Sequence, residues 1–337
     1  MSTLVAQIAP QRSTQYAALA DTLAPHELLL CPLGAQISGL HPVELGGQAY
    51  LQFDLPEEPD QDQRRELGML AMAVAFFVRY EQLGEVQGPL LRPIETGFRP
   101  TLPPELVTTR RYRGKTNEMF THFMCNVARF SSPLAQRPWS TLRVFDPLAG
   151  GGTTLFVALT LGASVAGIEK REQDVESTVA FIKQFMRGHG IACSEKVERF
   201  RQVGRRWSFS IGKETPQQCI LSRGDTVDTP TLISGFRPHF IVADLPYGIQ
   251  HRGELASLLT NALPVWAAAL PPSGAMVLAW ESSRYPREEM ISLVESTSPL
   301  LVLNDPPYDV LAHRVDRAIK QRDVLVARPP ESLRKEG

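Results

Sequence analysis

Short apolar runs alternate with segments suited to helices from about residue 117 to the end of the chain. The runs that predict strands lie at 142–146, 164–169, 219–222, 240–244 and 275–280, and helices are expected over 117–130, 152–162, 172–188 and 252–269. Strands and helices alternating at these lengths predict a Rossmann-like, doubly wound α/β sheet that is mostly parallel. Two later runs, 300–303 and 323–327, have no full helix between them. They predict an antiparallel hairpin at the edge of a seven-stranded sheet.

The first hundred residues follow a different pattern. Residues 14–24 suit a short helix, and short strand-like runs at 28–31, 43–45 and 49–53 are separated by glycine and proline. These features predict a small antiparallel meander beside a helix. We therefore expect a small α+β fold here.

One long apolar run, 67–78, is too short to cross a bilayer and predicts a buried helix over about 62–80. Five prolines within 86–108 predict an extended linker. Since 337 residues exceed one compact core, we predict an N-terminal accessory domain with linker over 1–108 and a second domain over 109–337.

Composition limits the partners of the chain. With 43% hydrophobic residues, 21% charged residues and a net charge of −1, any nucleic-acid binding must come from local patches. The four cysteines (Cys31, Cys125, Cys193 and Cys219) form no CxxC pair. They predict reduced thiols rather than disulfides or a metal site. The N-terminal residues lack the apolar core of a signal peptide, and we expect a cytoplasmic protein.

A glycine-rich loop follows the first strand of the alternating region. The segment Asp146–Thr154 reads Asp-Pro-Leu-Ala-Gly-Gly-Gly-Thr-Thr. Open α/β sheets bind ligands at the carboxyl ends of their strands. Glycines let the backbone approach a ligand closely, and the amides that open the next helix favour a carboxylate. No run matches a P-loop, so ATP is not expected. A glycine-rich turn that binds no ligand is the alternative.

Acidic residues follow the next two strands. Glu169 ends the second strand, roughly 20 residues after the glycine loop, where an acid can accept hydrogen bonds from both ribose hydroxyls of a nucleoside. Asp225 follows the third strand. A surface acid and a turn aspartate are the alternative interpretations.

A second motif, Asp244-Leu245-Pro246-Tyr247-Gly248, directly follows the fourth strand. The Asp244 side chain and the Leu245 carbonyl can accept hydrogen bonds from an amine whose lone pair is conjugated, which favours a more nucleophilic nitrogen. Pro246 stiffens the loop, and Tyr247 offers a π face to a flat base. A strand-ending turn without chemistry is the alternative.

The two motifs together resemble those of class I S-adenosylmethionine (SAM) dependent amino-methyltransferases. In that family the glycine loop reads Asp-Pro-x-x-Gly-x-Gly-Thr and the catalytic loop reads Asp/Asn-Pro-Pro-Tyr, whereas this chain has Leu245 for the first proline. The Asp-Leu-Pro-Tyr-Gly form is most similar to tRNA guanine-N2 methyltransferases, which usually carry a THUMP domain. The resemblance covers about residues 115–330 and implies SAM as cofactor, with Asp244, Pro246 and Tyr247 as catalytic residues.

The resemblance also implies which residues contact the cofactor. They are Thr116, Asn117, Asp146, Pro147, Ala149, Gly150, Gly152, Thr153, Thr154, Glu169, Asp225 and Asp244. In the family the acid at Asp225 contacts the adenine amino group, and the segment at Thr116 and Asn117 lines the methionine pocket. Either residue of that segment also fits a helix N-cap.

A rival motif lies further along the chain. Asn304-Asp305-Pro306-Pro307-Tyr308 matches the spelling Asn/Asp-Pro-Pro-Tyr more closely than the segment at Asp244. It follows the sixth expected strand, whereas Asp244 follows the fourth, which lies opposite the glycine loop. Position in the sheet therefore favours Asp244 as the catalytic acid.

Two basic clusters, 110–115 and 196–213, contain aromatic residues and are candidate RNA contacts. A solvated face with a small apolar anchor is the alternative for the second cluster. The N-terminal region is shorter than the usual THUMP arrangement. The substrate interpretation favours an exocyclic amine, guanine N2 of tRNA or rRNA. The alternatives are an amine of DNA, of a protein side chain or of a small molecule, and a SAM-binding RNA module without turnover.

Overall fold

The chain forms two compact units, Met1–Arg99 with His313–Gln321, and Pro100–Ala312 with Arg322–Gly337. The computed structural model describes residues 1–10, 19–112, 115–246, 252–315 and 321–330. The boundary predicted at residue 108, between an accessory domain and a second domain, stays a prediction.

The first unit is built on a five-stranded antiparallel sheet with strand order β2-β3-β1-β4-β5. Its elements are β1 (Ser2–Ile8), α1 (Leu19–Leu30), β2 (Ser38–Leu45), β3 (Gln48–Leu55), α2 (Gln61–Gly68), β4 (Ala73–Leu83) and β5 (Val86–Ile94). Helices beside an antiparallel sheet make this an α+β unit.

The apolar run 67–78 is not the buried helix that we predicted. Helix α2 ends at Gly68, and β4 begins at Ala73. Along β4, Phe76 and Val78 are 2% and 4% exposed, whereas Phe77 between them is only partly buried. This alternation is the period-two pattern of a strand with one buried face. The β-branched and aromatic residues of the run favour a strand over a helix.

Other predictions for this unit were also wrong. Residues 28–31 were expected to be a strand, but α1 extends to Leu30. The carboxylate of Glu27 on α1 accepts a hydrogen bond from the Met72 amide at 2.8 Å. The spacing of apolar residues in the sequence does not indicate this contact. Strand β5 occupies part of the expected linker, since its two prolines are tolerated on an edge strand. Of the helix predicted over 14–24, residues 14–18 lie outside the described residues.

The second unit contains a nine-stranded sheet with strand order β13-β14-β12-β11-β6-β7-β10-β9-β8. Its strands are β6 (Arg143–Asp146), β7 (Ser164–Glu169), β8 (Cys193–Phe200), β9 (Gly204–Ile211), β10 (Gln217–Arg223), β11 (Phe240–Asp244), β12 (Ala275–Glu281), β13 (Leu301–Leu303) and β14 (Arg322–Arg328). Its helices are α3 (Glu105–Thr108), α4 (Glu118–Phe130), α5 (Thr153–Leu161), α6 (Glu172–Gly188), α7 (Thr229–Leu232), α8 (Arg252–Ala269) and α9 (Arg287–Thr297).

Pairing within this sheet follows the predicted doubly wound pattern. Strands β10, β7, β6, β11 and β12 pair in parallel. Strand β14 runs antiparallel between β12 and β13, so the last two strands form the expected edge hairpin. The sheet has nine strands rather than seven because β8 and β9 pair beyond β10. We took that segment for a basic patch, although Trp207, Phe209 and Ile211 alternate with polar residues along it.

The strands at the centre of this sheet are buried. Their burial fixes the position of the loops that leave the edge of the sheet. All seven residues of β12 are buried, as expected of a strand covered on both faces. All nine residues of α5 are buried as well, so the helix that follows the glycine loop lies inside the unit. Within the described ranges, no helix combines the length and apolarity needed to cross a bilayer.

Candidate functional site

The order of the strands reverses between β6 and β11. After β6 the chain adds β7 and β10 on one side, and β11 and β12 lie on the other. The register pairs Phe240 with Val144, so Asp146 and Asp244 end neighbouring parallel strands at the same edge. Such a switch point opens a crevice at the carboxyl ends of the strands.

The glycine loop between β6 and α5 requires two of its glycines for backbone conformation. Gly150 has φ +49° and Gly152 has φ +88°, both in the left-handed region where a Cβ is disfavoured. The Gly152 amide donates to the Ala149 carbonyl at 2.7 Å, and the Ala149 amide donates to Ile168 of β7 at 2.8 Å. Pro147 is buried beneath the loop. The loop is therefore a tight turn pinned to the neighbouring strand.

The middle glycine of the loop, Gly151, is required because the Tyr112 ring packs against it. A Cβ on Gly151 would overlap the ring of Tyr112. The Tyr112 hydroxyl is hydrogen-bonded to the Thr153 hydroxyl at the start of α5. Burial raises the pKa of Tyr112, which keeps this hydroxyl protonated. The segment before α4 thus packs directly on the glycine loop.

Arg110 fastens the same segment from the side. Its guanidinium donates to the Gly151 carbonyl, to Thr178 Oγ1 at 2.7 Å and to Ser177 Oγ at 2.7 Å. It also lies 5.0 Å from the ring centroid of Tyr112. We had interpreted Arg110 and Tyr112 as RNA contacts. The structure uses them to hold the glycine loop, and no pattern in the sequence signals that pairing over forty residues.

Asp146 is a buried carboxyl at the base of the loop, 3% exposed. Burial, together with the nearby carboxylates of Asp244 and Glu169, raises its pKa to about 7 against hydrogen bonds from Thr154 and the Leu148 amide. The Leu148 amide donates to Asp146 Oδ1 at 3.0 Å. This carboxyl gains or loses its proton near neutral pH.

Glu169 connects β7 to the glycine loop. Its two carboxylate oxygens accept hydrogen bonds from the Gly150 amide at 2.9 Å and the Arg171 amide at 2.7 Å. The predicted ribose acid therefore lies against the loop, in direct contact with one of the glycines predicted to bind the cofactor.

Asp225 lies just after β10, one strand further along the same edge. Its carboxylate pairs with Lys170 Nζ at 2.9 Å and accepts the Val227 amide at 3.3 Å. The Lys170 hydrogen bond lowers the pKa of Asp225, so it is a carboxylate at neutral pH. Its adenine contact stays a prediction, since the turn interpretation describes its present hydrogen bonds equally well.

Thr116 and Asn117 have different roles. Asn117 caps α4, accepting the Phe120 amide at 3.1 Å. Thr116 Oγ1 instead donates to Asp244 Oδ2 at 2.6 Å. The segment before α4 therefore reaches both halves of the site, the glycine loop through Tyr112 and the predicted catalytic acid through Thr116.

Asp244 itself is almost enclosed, with a side chain that is 9% exposed. Burial raises its pKa, and Arg322 and the Thr116 hydroxyl act in the opposite direction. Arg322 Nη2 lies 3.7 Å from Asp244 Oδ2. No sequence motif identified Arg322, which is 78 positions away in a strand that we had assigned only to the sheet edge.

The two described residues after Asp244 differ in exposure. The Leu245 amide donates to the Ala279 carbonyl at 2.8 Å, and its side chain is 1% exposed. Pro246 is exposed. The predicted catalytic residue Tyr247, together with Gly248, lies outside the described residues.

The rival motif has a structural environment of its own. It follows β13, which pairs with β14 alone. Arg287 binds Asn304 Oδ1 at 2.9 Å and the Tyr308 carbonyl at 2.8 Å. The same guanidinium reaches Asp323 Oδ1 at 3.0 Å. The motif is thus a turn fastened to the edge hairpin, away from β6.

The second basic cluster lies on the β8–β9 hairpin, and part of its charge is neutralised locally. Glu198 pairs with Lys196 at 3.2 Å and with Arg206 at 2.7 Å. Trp207 and Phe209, which we expected to stack on bases, are 5% and 1% exposed and belong to the core. Base stacking by these two rings was therefore a wrong prediction.

Three basic residues of the sheet form a row. Arg223, Arg205 and Arg199 are opposite one another in the register of β10, β9 and β8, and Arg223 is in turn opposite Glu169. In-register neighbours share one face of a sheet. The three arginines therefore lead outward from the acid predicted to bind the ribose.

Comparison with known proteins gives the following similarities. No protein-family model and no curated protein matches the chain. Among solved structures, TrmN from Thermus thermophilus is 15% identical, with 98% of this chain and 100% of that chain covered and a TM-score of 0.47. The rRNA methyltransferase aviRa from Streptomyces viridochromogenes is 15% identical over 70% of this chain and 94% of its own, with a TM-score of 0.41. A TehB-like SAM-dependent methyltransferase from Corynebacterium glutamicum is 13% identical over 56% and 80%, with a TM-score of 0.35. The fold assignment rests on the strand order given above.

Proposed function

We propose that the chain is a SAM-dependent N-methyltransferase that methylates an exocyclic amine, guanine N2 of a tRNA or rRNA. One observation carries the proposal. The glycine loop and the Asp244 motif end neighbouring parallel strands at the switch point of a doubly wound sheet, and Glu169 contacts the loop at the Gly150 amide. This arrangement supports a nucleoside-binding half and an amine-binding half lying side by side.

The residues of the glycine loop fit the methionine end of SAM. Helix α5 begins at Thr153, and its N-cap residue Gly152 has no side chain to cap it, so the first amides can bind the carboxylate of the cofactor. Gly150 and Gly152 bring the backbone close to a ligand, and the buried Asp146 carboxyl suits a positively charged one. When bound, SAM supplies an activated methyl group on a sulfonium.

The residues further along the edge fit the nucleoside end of the cofactor. Glu169 would accept hydrogen bonds from the ribose hydroxyls, and Asp225 from the adenine amino group. Asp225 keeps its charge near neutral pH because Lys170 lowers its pKa. This assignment supports a nucleoside lying across the ends of β7 and β10.

Asp244 would act on the acceptor amine. Thr116 and Arg322 hold one oxygen of its carboxylate. The carboxylate would accept a hydrogen bond from the amine and take the proton that the nitrogen loses when the methyl–sulfur bond of the cofactor breaks and the methyl–nitrogen bond forms. Pro246 restricts the loop that follows, and Tyr247 would stack on the base. Positioning accounts for most of the rate in such a reaction.

The row of Arg199, Arg205 and Arg223 is the surface that we assign to the RNA backbone. Strand spacing of about 4.8 Å separates neighbouring arginines of the row. Arg199 is exposed, and Arg205 is stacked 4.4 Å from the ring centroid of Trp207, which holds its guanidinium in place. Arg223 pairs with Glu172 at 3.4 Å, with both side chains well exposed. Such a pair is weak and can yield to a phosphate.

The experiment that tests this function is methyl transfer to whole cellular fractions. Total RNA, DNA, protein and small molecules from a deletion strain would be incubated with the purified chain and tritiated SAM. We expect label in RNA, recovered as N2-methylguanosine after nuclease digestion. Label confined to the protein or metabolite fraction would contradict the assignment of RNA as substrate. Binding of SAM without methyl transfer would favour a non-catalytic SAM-binding module.

A further inference from the structure

Arg322 is a charged residue in the interior of the second unit. It opens β14, and its side chain is 2% exposed. Its guanidinium carbon lies 4.7 Å from the ring centroid of Phe120 on α4, a buried cation–π contact. A buried guanidinium is costly unless charged or polar groups surround it, so its place beside the proposed acid calls for a role.

The register of the sheet shows how Arg322 comes to face Asp244. Arg322 lies directly opposite Glu281 of β12. Glu281, however, binds Ser283 Oγ at 3.0 Å and Arg284 Nε at 3.0 Å. Ala279 stands opposite Asp244 and has only a methyl side chain. The guanidinium extends across this small residue to within 3.7 Å of Asp244 Oδ2.

We propose that Arg322 is a positioning residue of the methyl-transfer site, holding the buried Asp244 carboxylate charged and in a fixed orientation for the acceptor amine. The inference rests on the proposed function, because it gives Asp244 its role. Thr116 is the second group that holds the same carboxylate oxygen, at 2.6 Å. Together they fix Oδ2 from two elements, β14 and the segment before α4.

The charges around Asp244 explain why an arginine is needed there. Burial favours the neutral acid. From β6, the Asp146 carboxyl adds a like charge whenever it is ionised. Two uncharged groups also face Asp244. They are the methyl group of Ala279 on β12 and the Thr116 hydroxyl in the segment before α4. Arg322 is thus the cation that offsets burial, and a protonated Asp244 is unable to take a proton from the amine.

A stability cycle on the protein alone tests the pairing. The variants are Arg322→Met, Asp244→Asn and the double variant, followed by urea unfolding at about pH 8. Removing one partner of a buried pair leaves an uncompensated charge, so Arg322→Met should lower the folding equilibrium constant by about 100-fold or more. Asp244→Asn should restore at least about tenfold of that loss. The loss should shrink as pH falls, because Asp244 without Arg322 becomes protonated.

The Arg287–Asp323 pair is the matched control. It joins Arg287 of α9 to Asp323, the residue after Arg322 on β14, with side chains 13% and 4% exposed and 3.0 Å between the charged atoms. Arg287→Met should also destabilise the protein, but Asp244→Asn should give it no relief. Equal relief of both arginine variants by Asp244→Asn would overturn the proposal, as would no coupling between Arg322 and Asp244.

A pH profile of methyl transfer provides the second readout. In Arg322→Met the turnover number should fall at neutral pH and recover as pH rises, with the profile displaced upward by about one pH unit. SAM binding by calorimetry should be retained. Thr116→Val should displace the profile in the same direction by less. An unshifted profile in Arg322→Met would contradict the proposal.

Two outcomes separate this inference from the proposed function. If no fraction accepts a methyl group, the stability cycle still decides whether Arg322 and Asp244 are coupled. If Arg322→Met does not fold, the double variant decides. A folded double variant supports the pairing, whereas an unfolded one overturns it, because Arg322 would then be needed for packing whatever occupies position 244.

Discussion

At the scale of single residues, the site contains two carboxyls with raised pKa values and different neighbours. Asp146 and Asp244 end adjacent strands, and burial favours the neutral form of each. Asp244 has Arg322 and the Thr116 hydroxyl beside it, whereas Asp146 accepts hydrogen bonds from Thr154 and the Leu148 amide and lies near the Asp244 and Glu169 carboxylates. Under the proposed function, we assign the two acids different tasks: Asp244 accepts a proton, and Asp146 responds to a positively charged ligand.

Asp146 predicts a pH-dependent affinity for SAM. Its folded pKa of about 7 lies above the ordinary value of 3.8. A cationic ligand favours the ionised form, so affinity should rise with pH up to about 7 and then level. Calorimetric titrations at several pH values measure this, and Asp146→Asn should flatten the profile. An equally steep profile in that variant would rule out Asp146 as the titrating group.

The same shift predicts how stability depends on pH. Because the folded-state pKa is raised, the wild-type chain loses stability relative to Asp146→Asn as pH rises from about 4 to about 7. The loss should be on the order of a few kcal/mol and should cease above that range. Urea unfolding of both proteins across this range provides the measurement. A constant difference between them would contradict the prediction.

At the scale of elements, the segment before α4 and the glycine loop act as one unit. Tyr112 lies on Gly151, Arg110 binds the Gly151 carbonyl, and Thr116 binds Asp244. Sequence reasoning placed the loop correctly but took Arg110 and Tyr112 for RNA contacts, because a contact between segments forty residues apart has no local signature.

Gly151→Ala should weaken SAM binding by at least about tenfold, since a methyl group would displace the Tyr112 ring and with it the loop. Tyr112→Ala makes room for that methyl group, so the double variant should bind SAM better than Gly151→Ala alone. Calorimetry on the three variants gives the comparison. If the double variant binds no better, steric overlap with Tyr112 is not the cause.

The strands near the site were predictable because their signals are local. Runs such as 240–243 are apolar throughout, as is typical of central parallel strands. The hairpin of β8 and β9 was missed because its basic residues were given more weight than its alternation. The run 67–78 was assigned to a helix because length was weighed above β-branched and aromatic content. Arg322 had no signal at all, since its role depends on register across two strands.

At the scale of the whole molecule, net charge offers no general attraction for RNA. The chain carries 35 lysines and arginines against 36 acidic residues. Any binding to phosphates must therefore come from a local arrangement such as the arginine row, and its dependence on salt should be correspondingly shallow.

Three phosphate contacts on single-stranded RNA predict a slope of about −2 for log affinity against log salt concentration. Replacing Arg199, Arg205 or Arg223 with alanine should remove about one phosphate contact. Each variant should therefore show a correspondingly shallower slope, while its affinity for SAM stays unchanged. Arg201→Ala and Lys213→Ala are matched controls, being exposed basic residues of the same region outside the row. Fluorescence anisotropy measures the slopes. Equal effects of row and control variants would refute the assignment.

The most direct test of the central claim compares two aspartates in one methyl-transfer assay. Asp244 ends β11 beside the glycine loop. Asp305 is exposed and lies after the edge strand β13, in the motif that matches Asn/Asp-Pro-Pro-Tyr more closely. With tritiated SAM and total RNA, Asp244→Ala should abolish transfer while Asp305→Ala should retain the wild-type rate. Transfer that survives Asp244→Ala but is lost in Asp305→Ala would contradict the account.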